Sequence, residues 1–257
     1  MVDKVYNKYI LISGGAGFLG QQYANYLLQK NFGVIILDKN ITSIKKSKFF
    51  YKKKNIIFKS RYNFWDSNKK NLFFVAKKKI HIDILINNAA IDSIPKKNSN
   101  NEINVKQLKK EIDVSLIGTC LLIKYFSAKM IKQRYGKILN IGSDLSVIAP
   151  NQKLYEGLFK GYKKPVSYSM IKHAMLGITK YYAALFGEFN ICVNMLSPGP
   201  VYNNHNKFFV KRLKEIIPLN RMAEPKDLFS ALDFLIDDKN NYITGQNIII
   251  DGGRTII

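Results

Sequence analysis

The chain has 257 residues, 47% of them apolar, and a formal charge of +23. That length and composition exclude a disordered tail, a collagen-like repeat and a small disulfide-stapled fold, and point to one globular domain over 1–257. The charge does not point to nucleic acid. It is carried by 36 Lys and only 5 Arg, scattered along the chain, whereas a nucleic-acid face clusters arginine. The lysine runs at 45–54, 77–79 and 96–97 read as solvated faces, although so basic a surface can attract an anionic substrate.

The first residues, MVDKVYNKYILI, lack the apolar core and small-residue cleavage site of a secretory signal. No apolar run reaches the roughly 18 residues of a membrane span. Cys120 and Cys192 lie far apart in apolar segments, which reads as two buried thiols in a reducing compartment. These features predict a cytoplasmic protein without a membrane partner.

In chain order, residues 9–13 (YILIS) read as a strand, followed by a glycine-rich turn and a helix to about Lys30. Residues 33–38 (GVIILD), 55–59 and 82–87 read as three more strands. Residues 103–134 carry helical periodicity, with Leu116, Cys120, Ile123 and Ser127 on one face. A fifth strand follows at 136–142, a helix at 167–187, a sixth strand at 191–196 and a seventh at 246–250. Short, wholly apolar strands alternating with helices predict an α/β fold: a seven-stranded parallel sheet covered on both faces, doubly wound in the Rossmann manner. The least regular stretch is 144–166.

Residues 13–20 read SGGAGFLG between a strand and a helix. In that context Gly14 permits the tight turn, Gly17 lets the backbone approach a pyrophosphate and Gly20 lets the helix pack close to the sheet. The helix start, with Phe18 and Leu19, offers N–H groups to the phosphates. Asp38 ends the second strand, 24 residues after Gly14. An acid there accepts hydrogen bonds from the adenosine ribose and repels a 2′-phosphate, which favours NAD(H) over NADP(H). The adjacent Lys39 works against that discrimination.

Residues 168–172 read YSMIK. On a helix, Tyr168 and Lys172 lie one turn apart on the same face. An ammonium beside a phenol favours the phenolate, so the pair suits proton transfer near neutral pH. Ser143 ends the fifth strand, at the edge where parallel sheets bind ligands. Its hydroxyl reads either as a group that orients a reacting oxygen or as a turn cap.

Together these segments resemble the short-chain dehydrogenase/reductase family, in its branch of about 250 residues, over essentially the whole chain. Further motifs carry the resemblance: NNAA at Asn87–Ala90, LSPGPV around Pro198, Gly199 and Val201, IIPLNRMAEP at 216–225 and YITGQNIIIDGG at 242–253. It implies that Tyr168 exchanges a proton with the substrate oxygen, that Lys172 holds the nicotinamide ribose, and that Ser143 orients the substrate. It places Asn88, Ala89, Pro198, Gly199 and Val201 with the glycine loop around the cofactor. No metal is implied, and the family packs as homodimers or homotetramers, here through helices 103–134 and 167–187.

Three features depart from the family pattern. Phe18 stands where the branch has glycine. Ser115, in DVSLIG, stands at the position of the usual catalytic asparagine, which puts the proton relay from Lys172 in question. Ser143 and Tyr168 are 25 positions apart, about twice the usual spacing, because LYEGLFKGYKKP (154–165) is inserted. That insertion, with Tyr155, Glu156, Lys160, Lys163 and Lys164, reads either as a selector of a polar or anionic small-molecule substrate or as an exposed loop. The run SDLSVIAP with PVSYSMIKH is similar to a narrower group linked to surface-glycan synthesis, the flagellin-modification protein A-like reductases. The expected function is hydride transfer on a carbohydrate-derived alcohol or ketone. The alternatives are reduction of a 3-oxoacyl carrier protein and a non-catalytic dinucleotide sensor or scaffold.

Overall fold

A computed structural model describes residues 8–40, 56–59, 81–91, 103–158 and 162–257. The lysine runs at 45–54, 77–79 and 96–97, and Lys160 of the insertion, lie outside the described residues. The strands are β1 (Tyr9–Ser13), β2 (Gly33–Asp38), β3 (Ile56–Lys59), β4 (Ile84–Asn87), β5 (Gly136–Ile141), β6 (Ile191–Pro198) and β7 (Asn247–Ile250). They form one seven-stranded sheet in the order β3-β2-β1-β4-β5-β6-β7, and every pair is parallel. The chain winds outward from β1 to β3, then returns to build β4 to β7 on the other side. The reversal opens a crevice beyond the carboxyl ends of β1 and β4, where doubly wound sheets bind ligands.

Alternate strand residues face opposite layers, so both faces of each central strand are apolar. Ile10, Ile12, Ile36, Ile84 and Ile86 pack beneath α1 (Phe18–Gln29) and α6 (Phe229–Ile236), through Tyr23, Leu27, Leu232 and Leu235. Leu11, Ile35, Leu85, Ile138 and Val193 pack on the other face. There they meet α3 (Gly118–Gln133) and α4 (Val166–Phe186), through Leu122, Phe126, Met130, Ala183 and Phe186. Burying each such side chain contributes about 1.5–3 kcal/mol, which makes this two-sided core the main source of stability.

The long helical stretch predicted over 103–134 is three elements: α2 (Val105–Ile112), a π-turn at Asp113–Ile117, and α3. The π-turn inserts an extra residue and rotates the buried stripe. The core face therefore runs through Ser115, Thr119, Leu122, Phe126 and Met130; of the predicted face, Ile123 and Ser127 are buried, while Leu116 and Cys120 are only part-buried. Val105–Gln133 together has the length and hydropathy of a membrane span, but its inner face packs on the sheet as a core helix does. Cys192 is buried, Cys120 is part-buried, and both are free thiols.

Candidate active site

The glycine loop is held from two sides. Gly14 sits at φ +62°, and its N–H donates to the Leu37 carbonyl at 2.8 Å. A Cβ there would lie 2.7 Å from the Ala89 Cα, so the loop and the NNAA segment touch backbone to backbone. A Cβ at Gly20 would lie 2.3 Å from the Gly14 carbonyl oxygen. The Asn88 amide donates to the Ser13 and Gly14 carbonyls at 3.3 and 3.0 Å, and the Ser13 hydroxyl accepts from the Asn88 and Ala89 N–H groups. Asn88 and Ala89 thus shape the glycine loop rather than only bordering it.

The start of α1 has no side-chain cap at Gly17 and no acid in its first turn. Its positive end is therefore left for an anion. The Asp38 carboxylate accepts from the Ala16 N–H at 3.0 Å and from the Asn40 N–H at 3.0 Å. Those bonds aim it from the end of β2 toward the loop, and each oxygen keeps a lone pair for a hydroxyl. These are the residues that would hold a dinucleotide: Gly14, Gly17, Phe18, Leu19 and Gly20 would face its pyrophosphate and Asp38 its ribose.

A buried polar chain ties α4 to the sheet. The Asn87 amide donates to Asn140 Oδ1 at 2.8 Å, the Asn140 amide donates to Thr179 Oγ1 at 2.9 Å, and the Thr179 hydroxyl donates to the Met175 carbonyl at 2.8 Å. This chain fixes the helix that carries Tyr168 and Lys172. Lys172 is 6% exposed, and its ammonium donates to the Ile141 carbonyl at 3.1 Å while lying 5.7 Å from the Tyr168 ring centroid. A second ammonium, on Lys164 of the insertion, lies 3.9 Å from the same centroid.

Ser143 is buried at the end of β5. Its hydroxyl donates to Asp144 Oδ1 at 2.9 Å and accepts from the Leu145 N–H at 3.2 Å. Ser143 thus caps a short turn, as one reading had it, and it also borders the cleft. Asp144 in turn accepts from Arg254 Nη1 at 2.5 Å, a pair 4% and 7% exposed. The DGG turn builds that contact: Gly252 and Gly253 take φ of +69° and +89°, and Asp251 accepts the Gly253 and Thr255 N–H groups.

Ser115 lies in the π-turn, 1% exposed, with no hydrogen-bond partner for its Oγ among the described residues. Its carbonyl accepts from the Thr119 hydroxyl at 2.7 Å. Pro198, Gly199 and Val201 line the crevice after β6. The Gly199 N–H donates to the Ile250 carbonyl at 2.8 Å, and Val201 pairs with Ala223.

One cleft of about 350 Å³ joins many of these groups, though neither Ser115 nor Asp38 lines it. It is bordered by Phe18, Leu19, Asn88, Ser143, Tyr168, Lys172, Pro198, Gly199 and Val201. Leu154, Tyr155 and Lys164 of the insertion close one side of it. Gln152 clamps the insertion by exchanging hydrogen bonds with the Lys164 backbone at 2.9 and 3.2 Å. Leu154 packs with Leu213, Ile217 and Met222 beside α5 (Lys207–Glu215). The Arg212 guanidinium donates to the Lys153, Leu154 and Glu156 carbonyls. Asn140, Asp144, His205 and Arg254 escape sequence reading. No spacing links them, although the DGG turn before Arg254 is visible as a motif.

The fold and this cleft define a dinucleotide-binding α/β protein of the doubly wound class. A family model described as enoyl-(acyl carrier protein) reductase matches residues 19–255. The 3-oxoacyl-[acyl-carrier-protein] reductase of Buchnera aphidicola is 30% identical over 97% of this chain and 98% of its own. Post-translational flagellin modification protein A of Campylobacter coli is 26% identical over 96% and 98%. Among solved structures, a short-chain dehydrogenase of Leptospira borgpetersenii with bound NAD+ has a TM-score of 0.84 at 28% identity, covering 99% of this chain and 97% of its own. A 4-hydroxyisoleucine dehydrogenase complexed with NADH has a TM-score of 0.82 at 29% identity, covering 98% and 100%. The chain belongs to the short-chain dehydrogenase/reductase family and is an oxidoreductase of that family.

Proposed function

We propose that the chain acts as a single catalytic domain that moves a hydride between NAD(H) and a carbohydrate-derived alcohol or ketone. The observation that carries this reading is the convergence of Ser143, Tyr168 and Lys172 on the cleft that the glycine loop opens. A bound nicotinamide supplies or accepts the hydride at C4. Tyr168 Oη gives or takes the proton of the substrate oxygen, Lys172 holds the ribose and favours the phenolate, and Ser143 orients the oxygen. Asp38 supports NAD(H) over NADP(H), as does the presence of NAD+ in the Leptospira structure and of NADH in the 4-hydroxyisoleucine dehydrogenase structure. The flagellin-modification relative supports a role in surface-glycan synthesis.

A second reading is reduction of a 3-oxoacyl carrier protein, favoured by the Buchnera relative and by a charge of +23 that suits an acidic carrier. Exposed Ile117, Leu121, Tyr181 and Leu185 on α3, the π-turn and α4 support a homodimer or homotetramer. Two free thiols suit a cytoplasmic setting. The test is turnover of NADH and NADPH against sugar phosphates, nucleotide sugars, nonulosonates and 3-oxoacyl carrier protein. Tyr168→Phe is expected to lose turnover at least a hundredfold and keep NADH affinity. An unchanged rate in that variant overturns the mechanism, a clear NADPH preference overturns the role of Asp38, and turnover confined to acyl carriers selects the second reading.

A further inference from the structure

The cleft carries more positive charge than the hydride-transfer chemistry uses. Besides Lys172, three basic side chains border it: Lys164 from the insertion, His205 from the loop after β6, and Arg254 after β7. The one acid on the described wall is Asp144, which is already the partner of Arg254.

Arg254 is the informative residue. It is 7% exposed, and Nη1 is committed to Asp144. Nε is buried without a hydrogen-bond partner among the described residues. Nη2, on the same edge of the planar guanidinium as the Nε–H, makes no hydrogen bond among them either. A buried donor without an acceptor is costly and calls for an explanation. The unused edge is the fork that matches a carboxylate in bidentate fashion.

The other two groups complement it. The Asn203 N–H donates to His205 Nδ1 at 3.1 Å, so the neutral ring carries its proton on Nε2 as a donor. Lys164 Nζ stands against the Tyr168 ring, and Arg254 reaches Ser143 through Asp144. The two cations thus flank the two groups that face the reacting oxygen.

We propose that Arg254, Lys164 and His205 form an acid-recognition subsite that binds a carboxylate of the substrate, a few bonds from the carbon that exchanges the hydride. The substrate class is then a hydroxy acid or keto acid, sugar acids included. This inference rests on the oxidoreductase reading of the cleft and narrows it.

The test uses the full chain loaded with NADH and succinate as the probe, at constant ionic strength. Succinate is expected to raise the melting temperature saturably, dimethyl succinate to have no effect, and inorganic phosphate to act more weakly than succinate. Lys164→Met, at the cleft wall, is expected to weaken succinate at least tenfold. Arg254→Lys keeps a cation beside Asp144 but loses the fork, and is expected to weaken succinate by a similar factor. Equal responses to succinate and its dimethyl ester overturn the proposal, as does wild-type succinate affinity in Lys164→Met. A stronger response to phosphate overturns the carboxylate assignment. NADH affinity and turnover of a neutral carbonyl such as diacetyl, compared with Tyr168→Phe, are measured in parallel. They test the oxidoreductase reading alone, which survives a failure of the subsite.

Discussion

The Lys164 ammonium lies 3.9 Å from the ring centroid of Tyr168, closer than the ammonium of Lys172 at 5.7 Å. Tyr168 is thus flanked by a cation from its own helix and by another from the insertion. The two are expected to separate in kinetics. Lys172→Met should lower both NADH affinity and turnover, the latter about a hundredfold or more. Lys164→Met should keep NADH affinity and lower turnover about three- to thirtyfold, the range of one cation–π contact. Fluorescence titration with NADH and steady-state rates on the same preparations check this.

His205 predicts a pH dependence of stability. Burial first, and then the charge of Lys164, hold its pKa below the ordinary 6.5. Above 6.5 the ring is neutral in both the folded and the unfolded chain. As pH falls from 6.5 toward the depressed value, the unfolded chain binds a proton that the folded chain refuses, so stability declines. Urea midpoints measured from pH 8 to pH 5 should fall less steeply in His205→Gln than in wild type. In Lys164→Met the His205 resonance should titrate at higher pH than in wild type, yet still below 6.5, because burial remains.

Gly14→Ala addresses the loop. A side chain at φ +62° is strained, and its Cβ would lie 2.7 Å from the Ala89 Cα. The two nearest atoms, the Ala89 Cα and N, are backbone, so the loop and the NNAA segment must separate. NADH affinity is expected to fall more than tenfold, with a loss of about 1–3 kcal/mol in stability. Isothermal titration and thermal unfolding of the variant measure the two effects.

Asn140 bridges β4 and α4 with 0% exposure. Asn140→Ala strands the Asn87 amide and removes a partner of Thr179. The expected cost is about 2–4 kcal/mol, from one or two buried polar groups left unsatisfied. Because α4 carries both Tyr168 and Lys172, turnover should fall in the folded fraction as well, while Asn140→Asp should spare more of the stability than Asn140→Ala. Chemical denaturation together with rates normalised to folded protein distinguishes the two losses.

The sequence by itself determined the layered architecture, because apolar strands that alternate with amphipathic helices can be buried in few other ways. β1 and β2 fall at their predicted bounds, and the remaining strands shift by no more than two residues at either end. It also determined the glycine turn before α1 and the placing of Tyr168 and Lys172 one turn apart on α4, since both are local: a glycine turn and a one-turn helical spacing leave their mark within a few positions. The π-turn at Asp113–Ile117 was not legible, because its extra residue depends on seating α2 against α4 and α3 on the sheet at once; it leaves Leu116 and Cys120 of the predicted face part-buried, while Ile123 and Ser127 lie in the core. Only the tertiary structure decided what surrounds the pair. Lys164 meets Tyr168 because Gln152 and Arg212 pin the insertion across the cleft. Arg254 meets Asp144 across 110 positions of chain because two left-handed glycines turn it back into the site. Those contacts join segments whose separation in sequence carries no periodic signal. The fold alone brings them together, and the charge they concentrate beside Ser143 and Tyr168 is what the proposed acid subsite rests on.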